Sequence, residues 1–305
     1  MTTATPLPHR VAILARDIKL SHSVFALPFA LLATFLAAGT AGRLPYVGEF
    51  VLIVVCMVLA RTLAMAVNRW ADAGFDADNP RTAGRAIPSG AIGRPFVLGA
   101  ALACAAGFVA AAGGFWLFYG NPWPVVLSPA VAAYLAGYSF TKRFTWLCHI
   151  VLGVALALSP LAAAIAIEPG YLASAGPWLL ALLVTCWVAG FDVIYALQDV
   201  GVDREQGLFS MPSRLGVRPA LWVSRGLHGV TAAALVAMAM VSPQLGVVFA
   251  VAAALTLGLL VLEHVLVAGS KTHRIPLVFL TVNGVISVAL GAAGVVDVVV
   301  NVVVN

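Results

Sequence analysis

Long apolar runs separated by short polar stretches divide this chain from end to end. Runs long enough to cross a hydrocarbon core, at ~20 residues each, fall at 22 to 41, 49 to 67, 95 to 115, 123 to 140, 146 to 167, 177 to 198, 219 to 241, 244 to 267 and 276 to 300. The pattern predicts an all-α fold, a multi-span membrane bundle of about nine transmembrane helices, formed by a single domain over residues 1–305. The first run is too long for a removable signal peptide and has no small-residue cleavage site behind it, so it is read as a retained span. Before it, residues 1–20 are polar, with Val11, Leu14, Ala15 and Ile18 at helical spacing. This segment is expected to lie as a short helix on the membrane interface.

Two polar segments interrupt the apolar pattern, residues 68 to 90 after the second run and 195 to 218 after the sixth. They hold Asp72, Asp76, Asp78, Asp199, Asp203 and Glu205, half of the chain's twelve acidic residues. Asn68, Asp72 and Asp76 recur every fourth position. If the preceding helix continues through them, their side chains line one stripe of it. Tyr195, Asp199 and Asp203 repeat the spacing. Such stripes offer oxygen ligands to a hard divalent cation, and Mg2+ is commonly held by one or two carboxylates together with phosphate oxygens. Two stripes facing each other are suited to clamp one diphosphate through two metals.

Composition supports the membrane reading. The chain is 62% hydrophobic and 10% charged, with a mean hydropathy of +1.02. A net charge of +5 raises the question of nucleic acid, and the placement of the bases answers it against that partner. Fourteen of the seventeen Lys and Arg residues fall in the amino-terminal segment and in the loops after even-numbered spans, Arg43 alone lies on the opposite side, and Arg61 and Arg225 lie within spans. The positive-inside rule then puts the amino terminus and both acidic segments in the cytoplasm, in a multi-pass protein of the inner (cytoplasmic) membrane. Cys56, Cys104, Cys148 and Cys186 sit in or beside apolar runs without close pairing, and are read as small buried hydrophobes.

A few polar residues lie deeper. Arg61 precedes Asn68 by seven positions and Asp192 precedes Asp199 by seven, so each lies two turns further into the membrane on nearly the same face as its stripe. Asp192 is the one acid well inside the first eight spans and a functional candidate by its depth. Pairing of Asp192 with Arg61 is the structural alternative for both residues. His22 and Lys19 stand at the mouth of the first span, where His22 is either an interfacial residue or a substrate contact. Arg81 and Arg85 either touch a diphosphate or obey the topology rule. Asp72 to Asp199 and Asp76 to Asp203 are both 127 residues, and Lys142 to Lys271 is 129. This predicts two parallel four-helix repeats around a central cavity walled by spans 2 and 6, with the ninth span extra. Asp297 is read as marking the outer end of the last span.

An anionic diphosphate headgroup on a lipid tail fits a charged mouth over an apolar bundle, and an allylic isoprenoid diphosphate satisfies both. Mg2+ on its oxygens would ease ionisation of the C–O bond, and a dry cavity would protect the allyl cation until an aromatic acceptor attacks it. The residues that carry this chemistry also carry a resemblance. Asn68, Asp72 and Asp76, then Arg81 and Arg85, then YSFTKRFT at 138 to 145, then DVIYALQDVGVD at 192 to 203 resemble the UbiA superfamily of intramembrane prenyltransferases across essentially the whole chain. The FDxxYAxQDxxxD segment is similar to 4-hydroxybenzoate polyprenyltransferases in ubiquinone synthesis. IKLSHSVFALPFALL, TKRFTWLCH and GLFSMPSRLG resemble relatives of menaquinone synthesis by the futalosine route. RAIPSG departs from the family's usual RPIPSG or RPLPSG.

The resemblance implies a nine-helix fold and transfer of a polyprenyl group from a polyprenyl diphosphate to an aromatic acid acceptor of hydroxybenzoate or dihydroxynaphthoate type. It implies Mg2+ on Asn68, Asp72, Asp76, Asp199 and Asp203, with Asp72, Asp76, Asp192, Asp199 and Asp203 as the catalytic acids. Arg81, Arg85, Lys142, Arg143 and Tyr195 are then expected on the diphosphate, and Arg61, Asp192 and His22 on the acceptor. A secondary transporter is the rival reading, but transporters place polar groups near the midplane on broken helices. A CDP-alcohol phosphotransferase would show a DGxxAR signature, which is absent.

Overall fold

A computed structural model of the protein describes residues 6 to 268 and 275 to 304. In chain order the helices are α1 (Leu7–Asp17), α2 (Leu27–Thr40), α3 (Val47–Asp78), α4 (Arg94–Tyr119), α5 (Trp123–Gly137), α6 (Cys148–Ile167), α7 (Gly176–Tyr195), α8 (Val200–Glu205), α9 (Met211–Leu215), α10 (Val217–Val241), α11 (Val247–Val267), α12 (Ile275–Leu277) and α13 (Asn283–Val304). Among the described residues, nine helical segments are long and apolar enough to cross a membrane, those built on α2 to α7, α10, α11 and α13. This is an integral, multi-pass, all-helical membrane protein. Helices suit a lipid solvent because each satisfies its own backbone groups without water.

The bundle closes around α2 and α7. Phe29, Leu32 and Leu36 of α2 and Leu183, Trp187 and Phe191 of α7 are almost wholly buried in one apolar core. Phe25, Phe29, Trp187, Phe191 and Phe279 meet there edge to face or tilted, at centroid separations of 5.0–6.4 Å. Small residues permit close helix approach. A Cβ on Gly153 of α6 would strike the Thr185 carbonyl oxygen of α7, and one on Gly291 of α13 would strike the Pro28 backbone of α2. Pro28 itself lies in the first turn of α2, where no intrahelical hydrogen bond is lost. The pairing of α3 with α4 is mirrored by that of α7 with α10, as the repeat predicts, while α13 packs on α2 and α11.

The two acidic segments take different backbones. With 32 residues, α3 is about 48 Å long, well beyond the ~30 Å hydrocarbon core. It continues unbroken through Asn68, Asp72 and Asp76, so the first stripe is a true helical face. The second is not. Helix α7 ends at Tyr195, and the 3-10 turn Ala196–Gln198 leads into the short α8. The Gln198 side-chain amide Nε2 donates back to the Tyr195 carbonyl at 3.2 Å. Asp199 and Asp203 keep their four-residue relation, but Tyr195 belongs to a different element.

Helix α1 lies within the amino-terminal segment where a short helix is expected. Leu14 and Ile18 bury against Leu63, Ala66, Ala86 and Ile92, while Val11 faces outward. The four cysteines are free. Two acids have roles that the sequence does not signal. Glu263 of α11 is buried and accepts from Asn283 at 3.1 Å, and Asn283 accepts from Trp187 at 2.7 Å. Asp297 does more than mark a span end, because its Oδ2 accepts the Gly246 and Phe249 amides, both at 2.7 Å, and so caps α11 from α13. Asp297→Ala is expected to lower stability by about 1–2 kcal/mol through the lost cap, read as an earlier thermal unfolding midpoint in detergent. Asp297→Asn should retain part of the loss, since one acceptor oxygen remains.

Candidate active site

The predicted central cavity is present. Its volume is about 1010 Å³, at the upper end of the ~300–1000 Å³ typical of small-molecule sites. One end is charged, lined by the last turns of α3, the loop after it, the turn at Tyr138–Arg143 and α8. The other end is apolar, with Phe108, Phe115, Leu156, Leu161 and Trp178 in its wall.

At the charged end the motif acids Asp72, Asp76, Asp199 and Asp203 each already hold a partner. Asp72 is 1% exposed, with Lys142 Nζ 2.8 Å from Oδ2 and Arg143 Nη2 3.6 Å from Oδ1. Its Oδ1 has no hydrogen-bond partner. Arg85 Nη1 donates to both oxygens of Asp76 at 2.7 Å. Asp199 is gripped in two-pronged fashion by Arg81, at 2.9 Å from Nε and 2.5 Å from Nη2, and by Asn79 at 3.1 Å. Such planar pairing is what a guanidinium does best with a carboxylate. Arg81 also donates to the Tyr195 hydroxyl at 3.1 Å. Asp203 accepts from Ser210 Oγ at 2.5 Å. Burial raises the Asp203 carboxyl above its ordinary value, with nearby Asp199 adding to the effect and Ser210 opposing it.

Among the described residues no three His, Cys, Asp or Glu side chains are gathered as metal ligands. The donors nonetheless fit a hard divalent ion. They are oxygens, they line one cavity, and a buried carboxylate oxygen of Asp72 has no partner. Lys142, Arg85 and Arg81 occupy the carboxylates as counter-charges, and the same groups are the nearest donors for an anion. Burial, followed by the adjacent Arg69, Arg85 and Arg81, lowers the Lys19 ammonium below its ordinary value.

Several of the expected site residues have further partners. The Oδ1 of Asn68, expected on the metal, accepts from Arg69 Nη1 at 2.9 Å, and its Nδ2 donates to Asp72 at 3.0 Å. One lone pair of Oδ1 is thus taken by Arg69, leaving the second for a ligand. Arg69 Nε in turn lies 3.2 Å from Asp17 of α1, so a chain of contacts runs from α1 to Asp72. Arg143, expected on the diphosphate, is absent from the cavity wall. It donates to the Ala71 carbonyl at 2.9 Å and lies over the Phe75 and Phe140 rings. The His22 side chain lies outside the described residues, as do Lys271 and Arg274 of the charge count.

One layer down, the alternative of an Arg61–Asp192 ion pair is overturned. Asp192 is 2.6 Å from His149 Nδ1 of α6. Among the described residues Arg61 donates to the Lys19 carbonyl alone, at 3.1 Å, and its Nε has no partner. Lys19 is the one non-glycine residue of positive φ among those described, at 48°, and this left-handed turn follows α1 beside Arg61. Both Arg61 and Asp192 line the cavity. Four site residues escaped the sequence reading: Asp17, Arg69, Asn79 and His149. His149 lies in TKRFTWLCH, which was legible as a motif but offered no partner within its own helix.

Comparison with known proteins bears on this geometry. Residues 26–296 match the UbiA prenyltransferase family. The 4-hydroxybenzoate octaprenyltransferase of Photobacterium profundum is 32% identical over 183 residues, 58% of each chain. That of Saccharophagus degradans is 31% identical over 210 residues, 68% of this chain and 66% of its own. The match thus spans less than two thirds of these relatives' length. The apo structure of a UbiA homolog from Aeropyrum pernix K1 superposes with a TM-score of 0.80 at 31% identity, covering 91% of this chain and 98% of that one. A UbiA homolog from Archaeoglobus fulgidus bound to GPP and Mg2+ has a TM-score of 0.72 at 18% identity, covering 94% and 99%, a likeness of fold alone. With a match over most of its length and the motif residues around one cavity, the chain belongs to the UbiA prenyltransferase family.

Proposed function

We propose that the protein transfers a polyprenyl group from an allylic polyprenyl diphosphate to an aromatic acid, of hydroxybenzoate or dihydroxynaphthoate type, in a Mg2+-dependent step of quinone biosynthesis. The observation that carries this reading is Arg61, a guanidinium lining the cavity below the charged mouth with no carboxylate partner among the described residues. Of the other cavity arginines, Arg69, Arg81 and Arg85 face acids, and Arg16, which has no acid partner among the described residues, is exposed near the end of α1 where water can solvate it. An unpaired guanidinium at membrane depth is costly unless a ligand completes it, and an aromatic carboxylate matches its fork. Family membership and the names of the relatives support the prenyl transfer and the hydroxybenzoate. The neighbour bound to GPP and Mg2+ supports the diphosphate and the metal.

Asp72, Asp76, Asp199 and Asp203 would hold Mg2+, with Asn68 through the remaining lone pair of its Oδ1. Bound there, the metal supplies charge neutralisation that makes the diphosphate a better leaving group. Arg81, Arg85 and Lys142 would move from their carboxylates to the diphosphate oxygens, with Tyr195 steadying Arg81. Arg61 would hold the acceptor carboxylate, and Asp192 would accept from its phenolic hydroxyl, raising electron density on the ring. The C–O bond to the diphosphate would break, the allylic carbon would bond to a ring carbon, and the ring proton would pass to the released diphosphate. The apolar wall excludes water from the cation.

The test is incubation of membranes containing the protein with a polyprenyl diphosphate and each aromatic acid, with the product identified by mass. Absence of any prenylated acid would defeat the proposal. The mouth is proposed to face the cytoplasm. A cysteine at the exposed Ser89 or Glu205 should react with an impermeant reagent only after the membrane is permeabilised. Ser210 is unsuitable for this purpose, because it is buried against Asp203.

A further inference from the structure

Asp192 is held by a residue that takes no part in the steps above. His149, at the start of α6, is 3% exposed and is engaged on both ring nitrogens. Its Nε2 lies 3.1 Å from the backbone amide of Met211, which donates to it. A peptide N–H can only donate, so Nε2 carries no proton and the single ring proton resides on Nδ1. Nδ1 therefore donates to Asp192 Oδ2 at 2.6 Å. The tautomer is set by the backbone, not by the substrate. The Asp192 side chain remains 23% exposed to the cavity, and its second oxygen has no protein partner among the described residues.

We infer that His149 is a positioning residue for the acceptor, fixing the Asp192 carboxylate so that one oxygen is occupied and the other faces the aromatic substrate. This rests on reading Asp192 as an acceptor-side group. With Met211 bound to Nε2, the ring has no free nitrogen to pass a proton onward. His149 thus orients Asp192 without relaying its proton. Its anchor lies at the first turn of α9, where the neighbouring Ser210 holds Asp203. One backbone turn therefore supports both the acceptor layer and the carboxylate layer above it.

Two near-isosteric substitutions separate this role from a merely structural one. In His149→Asn the amide nitrogen replaces Nδ1, keeping the donor to Asp192 and losing the acceptor for Met211. In His149→Gln the amide reaches the Nε2 position, keeping a partner for Met211 and losing the donor to Asp192. His149→Gln is expected to lose roughly 10–100-fold in kcat/KM for the acceptor, the scale of a misplaced positioning group, with KM for the prenyl diphosphate within about twofold of wild type and the unfolding midpoint unchanged. His149→Asn should recover most of the acceptor loss while unfolding earlier. The inference is overturned if His149→Gln matches wild type, if it loses equally for both substrates, or if a folded His149→Asn is as impaired as His149→Gln. Failure of the proposed function reads differently, since wild type itself would then form no prenylated acid.

Discussion

Asp72→Asn is expected to remove turnover almost completely, by at least about 10²-fold and on the scale seen when one electrostatic group is deleted from a reaction centre. Asp72 is the most buried acid of the mouth and has an unpartnered oxygen. Asparagine keeps the volume and the contact to Asn68 but removes the charge that Lys142 and a metal would share. Lys142 is 31% exposed, so water can solvate its ammonium when the partner is lost, and the unfolding midpoint should move little. The same loss should follow treatment of wild type with a chelator and be reversed by added Mg2+. Full activity in chelator, or an Asp72→Asn enzyme within a few-fold of wild type, would remove the metal from the reading.

Arg61→Lys should act on one substrate only. A charge-assisted bond to a carboxylate contributes about 1.5–3 kcal/mol, so the acceptor KM is expected to rise roughly 10–100-fold, with KM for the prenyl diphosphate nearly constant. Lysine keeps the charge but not the two parallel donors, and its shorter reach should weaken the hold on the Lys19 carbonyl as well. An acceptor analogue lacking the carboxylate should be indifferent to the change, because it never used the fork. Equal losses for both substrates, or for acid and analogue alike, would return Arg61 to a structural role.

Much of this architecture was legible in the chain. The bilayer imposes a length and a polarity on every span, so all nine spans were found to within a few residues at most ends. The i, i+4 relation of Asn68, Asp72 and Asp76 placed them on one face because α3 continues as a helix. The equivalent inference failed at Tyr195, where a 3-10 turn intervenes, since spacing cannot distinguish a continuous helix from one that tightens and restarts. Asp297 was underread for a related reason. Its task is to cap α11, whose first amides lie about fifty residues earlier in the chain.

The sequence by itself determined the number of spans, the gathering of acids and bases at one end of the bundle, and the family to which those motifs belong. These are local properties: hydropathy over about twenty residues, charge in a loop, spacing along one helix. Only the tertiary structure decided which base faces which acid. Arg81 meets Asp199 from 118 positions away and His149 meets Asp192 from 43. Arg69 reaches back to Asp17, and Arg61 is left without an acid among the described residues. A helical period specifies which side chains share a face, but the partner of that face is set by how neighbouring helices rotate and approach one another. Here, glycines such as Gly153 and Gly291 allow that close approach.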